Sequence, residues 1–161
     1  MTRIVARPIT AEAFAPFGDL LDTAGAPDKI INEGLCGRYH DRARLDFGDG
    51  RAGVSLFDAE PRALPYELGL VERHPDGSQC FVPMTWQPFL VTVAPDEAGT
   101  PGTPLAFIAG PGQAVNYHRG TWHGVLTPLS APGLFAVIDR IGPGSNLDEY
   151  RYPSPFEIAF S

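Results

Sequence analysis

Glycine and proline are the residues that most limit how this chain can fold. The sequence of 161 residues contains 18 glycines and 17 prolines, far more than an average protein of this length. Both residue types interrupt regular elements and form turns. A hydrophobic content of 43% is still enough for a globular core. The sequence therefore disfavours a helical bundle and predicts many short elements.

Short apolar runs between turn residues predict strands. In the second half of the chain their starts lie roughly ten residues apart, which is typical of an all-β sandwich or barrel. The predicted strands are GVSLF (53–57), QCFVPM (79–84), PFLVTVA (88–94), PLAFIA (104–109), QAVNYH (113–118) and GLFAVID (133–139). Only Thr10 to Phe17 predicts a helix, with Thr10 as its N-cap and Gly18 as its stop.

No internal repeat or shift in composition divides the chain, so the sequence predicts one β-barrel domain over residues 1–161. The segment SPFEIAF (154–160) either closes this barrel or covers a neighbouring molecule.

Charge and cysteine content restrict the partners and the compartment. The net charge is −7, and no basic stretch offers a nucleic-acid surface. Cys36 and Cys80 form no disulfide framework or paired metal motif. The start of the chain lacks the apolar stretch of a signal peptide, and no run approaches the ~20 residues of a membrane span. We therefore expect a soluble cytoplasmic protein without nucleic-acid or membrane partners.

Residues 72–79 form the first window that could carry chemistry. If this segment enters as a strand, Glu72 and His74 share a face and Arg73 points the other way. The Pro-Asp-Gly sequence that follows predicts a tight turn, which would return Gln79 towards His74. The alternative is a hairpin end with solvated polar residues.

Two histidines lie close together in the second window. His118 and His123 flank Gly120, whose backbone freedom permits a turn, so one or both side chains can face a common cavity. A lone histidine is usually structural, but two within six residues favour a site.

The spacing of Gly112, His118, Gly120 and His123 is similar to the second motif of the cupin β-barrels, and the first window resembles a degenerate first motif. Four longer blocks resemble the ureidoglycolate lyase family, formerly called ureidoglycolate hydrolases. They are INEGLCGRYHD (31–41), LVERHPDGSQCFVPM (70–84), PFLVTVAP (88–95) and VNYHRGTWHGVLTPL (115–129). The resemblance implies a cytoplasmic, homodimeric cupin enzyme of allantoin (purine) degradation that splits ureidoglycolate into glyoxylate and urea.

The resemblance and the residue chemistry together suggest roles. His118 and His123 are the first candidates for proton transfer, with His74 opposite them. In a second mechanism His74, Gln79 and His123 hold a divalent metal such as Ni, Zn or Mn. Arg38 is the candidate for binding the substrate carboxylate, and its alternative is a surface ion pair with Asp41 or another acid. Arg73 and Arg119 are the other cations considered. Glu72 is a further candidate for substrate binding. It can also act as a base or orient a histidine, and the alternative is an exposed carboxylate at the end of a strand.

Three other functions remain open at this point. The first is hydrolysis of ureidoglycolate with release of ammonia and carbon dioxide. The second is another metal-dependent cupin activity, an isomerase or a dioxygenase. The third is a non-enzymatic barrel that binds a small carboxylate, because a fold alone does not establish catalysis.

Overall fold

The computed structural model describes residues 1–161 and confirms an all-β fold with one short helix. The elements in chain order are β1 (Thr2–Pro8), α1 (Ala11–Phe14), β2 (Gly18–Leu21), β3 (Lys29–Ile31), β4 (Cys36–Arg38), β5 (Arg51–Ala59), β6 (Tyr66–Arg73), β7 (Gln79–Pro83), β8 (Phe89–Ala94), β9 (Asp96–Glu97), β10 (Thr100–Pro101), β11 (Leu105–Ala109), β12 (Ala114–Tyr117), β13 (Trp122–Gly124), β14 (Thr127–Pro128), β15 (Gly133–Ile141) and β16 (Asp148–Phe160).

The helix begins where the sequence predicts. The Thr10 side chain accepts a hydrogen bond from the Ala13 N–H at 3.2 Å, as an N-cap does. The helix ends at Phe14, three residues before the predicted end. Pro16 has no N–H with which to extend the helical hydrogen bonds, so the chain turns instead.

Six strands of the larger sheet close into a barrel. The sheet order is β11-β1-β16-β6-β13-β8-β14, and β11 also pairs with β8, which joins the two sides. Strand β1 runs parallel to both of its neighbours, β11 and β16. All six strands of the barrel contribute to one buried apolar cluster: Ala6, Leu68, Val71, Leu90, Ala94, Ala106, Trp122 and Ile158.

A second sheet packs against the β8–β11 part of the first. Its order is β2-β12-β7-β15-β5. The main core joins residues of β7, β12 and β15 to residues of β8 and β11, with Phe14 of the helix inserted among them. Strand β8 is buried along its whole length because it has a core on each side. The space between the two sheets is therefore lined by both of them.

Each of the six predicted runs lies within or overlaps a strand, and the structure adds elements that the sequence analysis did not assign. The C-terminal segment lies within β16, between β1 and β6, so it closes the chain's own barrel. The β3–β4 hairpin stands apart as a separate two-stranded sheet. The only helix is four residues long, so no helix of the structure has the length or apolar character to cross a membrane.

Candidate active site

Four polar side chains meet between the two sheets. Glu72 on β6 and His123 on β13 are direct cross-strand partners in the larger sheet. His74 lies just beyond the end of β6, and Gln79 begins β7 of the smaller sheet. The ligand atoms of Glu72, His74 and His123 all lie within 4.8 Å of one another. The predicted shared face of Glu72 and His74 and the predicted return of Gln79 are thus confirmed.

His74 is held between two carbonyl oxygens. Its Nδ1 lies 2.9 Å from the Asn146 backbone oxygen, so this nitrogen donates and carries the ring proton. Its Nε2 lies 2.9 Å from Gln79 Oε1. The Gln79 amide donates from Nε2 to Asp139 Oδ2 at 3.1 Å, which turns its oxygen towards the histidine. In a neutral His74 two lone pairs therefore face each other, and a shared cation or a second ring proton is needed between them.

His123 also presents a lone pair to the cluster. Its Nδ1 donates to the Gly124 backbone oxygen at 2.9 Å, and its buried Nε2 has no hydrogen-bond partner. Tyr117 stacks on the ring with centroids 4.3 Å apart and planes 4° apart. Burial, with a contribution from nearby His74, lowers the pKa of His123 to about 3. The imidazole is consequently neutral near pH 7 and suited to act as a ligand rather than as a proton donor.

Glu72 is the carboxylate of the cluster, and it is half-buried like His74. Burial raises the pKa of Glu72, and the nearby Glu149 raises it further against the opposing effect of His74. Gln79 and His123 are buried, so solvent reaches the cluster on the side of Glu72 and His74. A small substrate would approach from that side.

The donor set fits a divalent metal ion. Two ligands on one ion at about 2.1 Å, at right angles, are themselves about 3 Å apart, as His74 Nε2 and Gln79 Oε1 are. With the unpartnered Nε2 of His123 they form a nitrogen–oxygen set of the kind that Zn, Ni and Mn accept, and the Glu72 carboxylate lies beside this set. No arginine or lysine hydrogen-bonds or ion-pairs with these four side chains. An anion bound at this cluster would therefore not be paired with an arginine or a lysine.

The structure places His118 apart from this cluster. Its neighbour Tyr117 faces His123, whereas His118 Nε2 lies 3.0 Å from Asp19 Oδ1 on β2. The two consecutive side chains thus point to opposite sides of the chain. Gly120 adopts a φ of 76°, which confirms the predicted turn between the two histidines.

The three arginines that are candidates for the carboxylate also lie elsewhere, and of these Arg119 pairs with Asp46. Arg38 is exposed at the end of the β3–β4 hairpin and makes no ion pair, with Asp41 or any other acid. Arg73 points away from the cluster, as predicted, and pairs with Asp96 and Asp148.

Sequence reasoning did not single out Asp139, which orients Gln79. A signal for it exists in β15, where Phe135 and Val137 are buried and Asp139 continues the same face. A carboxylate at the end of an apolar face is unusual and points to a partner. Asn146 was also missed, because its backbone oxygen rather than its side chain contacts His74.

Together these observations define a class of protein: a β-barrel with a centre of two histidines, a carboxylate and an amide between its two sheets. The family follows from the sequence comparisons. The family model described as Ureidoglycolate lyase matches residues 1–159. The chain belongs to the ureidoglycolate lyase family, which confirms the resemblance seen in the sequence.

Relatives of nearly the same length share much of the sequence. A protein of Rhodobacter capsulatus named ureidoglycolate lyase is 62% identical over 159 residues, which cover 98% of this chain and 99% of the relative. A Chelativorans protein of the same name is 50% identical over 160 residues, covering 98% and 97% of the two chains. Ureidoglycolate lyase 2 of Rhizobium meliloti is 49% identical over 157 residues, or 96% of each chain.

Proposed function

We propose that this chain is a lyase that cleaves ureidoglycolate into glyoxylate and urea, with Glu72, His74, Gln79 and His123 as its reactive centre. The assignment to this centre rests on one observation: two imidazole nitrogens lie beside a carboxylate between the sheets. The substrate is supported by the names of the relatives, which match nearly the whole chain. Those names favour the lyase over the hydrolase, another cupin activity or a binding barrel.

The reaction needs two proton transfers and consumes no water. The hydroxyl group of ureidoglycolate loses its proton while the carbon–oxygen double bond of glyoxylate forms. The carbon–nitrogen bond to the ureido group breaks, and its electron pair stays on nitrogen. A proton added to that nitrogen completes urea. One carboxylate that takes up the first proton and returns it to nitrogen can serve both steps.

Glu72 is the proposed proton carrier, because it is the carboxylate of the cluster on the side that solvent reaches. His74, Gln79 and His123 are the proposed metal ligands, since each presents an uncommitted nitrogen or oxygen lone pair. A bound Zn, Ni or Mn ion would supply the positive charge that holds the substrate's carboxylate and hydroxyl oxygens. Asp139 keeps the Gln79 oxygen turned inward through its hydrogen bond.

This placement changes the roles suggested by the sequence. His123 becomes a ligand rather than an acid, since burial keeps it neutral. His118 and Arg38 are left out of the centre, because neither contacts any of the four side chains. The proposal therefore adopts the mechanism in which His123 is a metal ligand over the one in which His123 transfers a proton.

A product assay tests the proposal. Purified protein is mixed with freshly prepared ureidoglycolate, and glyoxylate, urea and ammonia are measured together against a no-enzyme control. Glyoxylate and urea in equal amounts are expected. Ammonia in place of urea would show a hydrolase, and no rate above the control would refute the enzymatic proposal.

The same assay, repeated after dialysis against a chelator, tests the metal. Loss of activity that one of Zn, Ni or Mn restores is expected, and metal analysis of the purified protein gives an independent readout. Full activity in protein shown to be metal-free would remove the metal from the proposal while leaving the lyase.

Assembly and location are proposed from the family resemblance. We propose a cytoplasmic homodimer, and both thiols are free, as in proteins of reducing compartments. The outer strand β5 leaves Val54 and Leu56 more than half exposed, which offers an apolar face to a second copy. Light scattering coupled to size-exclusion chromatography should give twice the chain mass. A monomer at all concentrations would contradict the dimer.

A further inference from the structure

A second histidine centre lies outside the space between the sheets. Its core is His118, whose Nε2 lies 3.0 Å from Asp19 Oδ1. The other Asp19 oxygen accepts from the Arg44 backbone N–H at 2.8 Å and from Asn116 Nδ2 at 3.0 Å. Burial raises the pKa of Asp19, but these contacts outweigh it and lower the pKa below its usual range. The carboxylate is therefore ionised, and both of its oxygens are engaged.

This arrangement fixes which His118 nitrogen can meet a ligand. Because Nε2 faces a carboxylate, it carries the ring proton. Nδ1 has no partner within the chain. In the neutral ring this nitrogen is an acceptor, so it can receive a hydrogen bond from a hydroxyl group.

The guanidinium of Arg44 is an unpaired cation beside His118. Its backbone holds Asp19, while its guanidinium makes no hydrogen bond or ion pair. The two other arginines nearby are occupied: Arg42 pairs with Asp28 at 2.8 Å, and Arg119 pairs with Asp46 at 2.8 Å. Arg44 is thus the free cation beside His118.

Arg44 and His118 line two surface cavities in common. One, of about 260 Å³, also includes Asp19, and the other, of about 320 Å³, includes Asp46. Asp46 is paired with Arg119, and Asp19 accepts hydrogen bonds from the Arg44 backbone and Asn116. Neither acid pairs with the Arg44 guanidinium, which stays available to an anion. Cavities of this size suit a ligand of a few heavy atoms.

From this geometry we propose that Arg44 and His118 form a second binding site, separate from the reactive centre, for a small carboxylate with a hydroxyl group on the adjacent carbon. The carboxylate binds the Arg44 guanidinium, and the hydroxyl group donates to His118 Nδ1. Asp19 acts as a positioning residue that fixes the tautomer of His118. The site does not depend on the proposed lyase activity, because it uses none of the residues of that centre.

Glycolate is the probe for the test, and the imidazole resonances of His118 are the readout. Titration should shift these resonances with a Kd in roughly the millimolar range. Arg44→Gln should weaken glycolate binding about tenfold or more. Arg151→Gln is the matched control, since Arg151 is also exposed and without a side-chain partner, and it should leave Kd within about twofold. Acetate, which lacks the hydroxyl group, should bind more weakly than glycolate.

Three results would overturn the proposal. His118 resonances that do not respond to glycolate would show that there is no site. Equal weakening by Arg44→Gln and Arg151→Gln would show a non-specific charge effect. Loss of the response in His123→Gln, which alters only the reactive centre, would place the ligand there instead. Binding that survives in His123→Gln while turnover is lost would show that the two sites are separate.

Discussion

The two histidines of the reactive centre are held differently, and this difference is set by individual hydrogen bonds. His74 donates to a backbone oxygen and meets Gln79 on its other side, while His123 donates to Gly124 and leaves its second nitrogen bare. In each ring the proton is fixed on Nδ1 by a carbonyl oxygen. The protein thereby presents two lone pairs to one point, next to the carboxylate of Glu72.

Replacing the Glu72 carboxylate should lower turnover without lowering metal content. Glu72→Gln keeps the size of the side chain but takes up no proton, so we expect turnover to fall by about 10²-fold or more. Because His74, Gln79 and His123 remain, metal content should stay near that of the unaltered protein. Metal analysis and the urea–glyoxylate assay on the same preparation measure both quantities.

His123→Gln is the counterpart of that variant. It removes a proposed ligand, so metal content and activity should fall together. A Glu72→Gln protein that keeps its activity would exclude Glu72 as the proton carrier. A His123→Gln protein with a full metal complement would exclude His123 as a ligand.

The burial of His123 predicts that acid destabilises the metal-free protein. Its folded pKa is about 3, against an ordinary value of 6.5, so between these values the unfolded chain binds a proton that the folded chain does not. Stability should therefore fall as the pH falls through this window, by up to about 1.4 kcal/mol per pH unit from this group.

Denaturant unfolding in chelator, at several pH values, measures this slope. His123→Gln lacks the titrating ring and should show a shallower dependence between pH 6.5 and 3. Identical slopes for the two proteins would mean that His123 contributes nothing to acid sensitivity.

At the scale of elements, the three-residue strand β13 positions His123 because it is fixed on both edges. It pairs with β6 on one side and β8 on the other. Gly124 allows this close approach, since a Cβ at that position would collide with Thr92 Oγ1 and lie 3.3 Å from Leu68 Cδ1. The short strand is held by its neighbours rather than by its own length.

Gly124→Ala should therefore destabilise the fold by about 1–3 kcal/mol, because the added methyl group overpacks the site. Gly69→Ala on the adjacent strand β6 is the control. A Cβ there would meet only Pro155 Cβ at 3.9 Å, so stability should change by less than about 1 kcal/mol. Chemical denaturation compares the two variants, and equal losses would contradict the packing argument.

The elements that the sequence predicts well are those with continuous apolar runs, such as β8 and β11. Strand β16 is not among the predicted strands, and Pro153 and Pro155 interrupt its apolar pattern, since prolines argue against a strand interior. In the structure both prolines lie where the pairing register shifts, between Arg151 and Phe156. The irregular stretch accommodates two prolines, which have no backbone N–H to donate to a neighbouring strand. The pattern of a single sequence does not reveal such an irregularity.

The site was predictable where a regular strand or a tight turn carries it. Alternation placed Glu72 beside His74, and the turn residues indicated the return of Gln79. The separation of His118 from His123 was not predictable, because the irregular segment around Gly120 breaks the two-residue period. Strand alternation cannot be extrapolated across such a turn. The direction in which the His123 side chain points relative to His118 therefore depends on the tertiary fold.

For the molecule as a whole, β16 completes the closed sheet. It pairs with β1 on one edge and β6 on the other, and it contributes Ile158 to the barrel cluster. A chain that ends at Leu147 should therefore fail to unfold cooperatively, because the barrel loses a central strand. Removal of Ser161 alone, which is exposed and outside the strand, should leave the thermal transition unchanged.

Circular dichroism during heating distinguishes these chains. If the protein ending at Leu147 melted with the same midpoint and sharpness as the full chain, β16 would be dispensable and the tail would be free for another role.

The pairing of β1 with β16 also orders events during biosynthesis. Residues 2–6 find their partners in residues 156–160, about 150 positions later in the sequence. Until β16 has been synthesised, β1 can pair with β11 alone, and its other edge stays open to any strand nearby. Closure of the barrel therefore waits for a strand that is made long after its partner. The nascent chain has to be shielded at that edge until β16 is available.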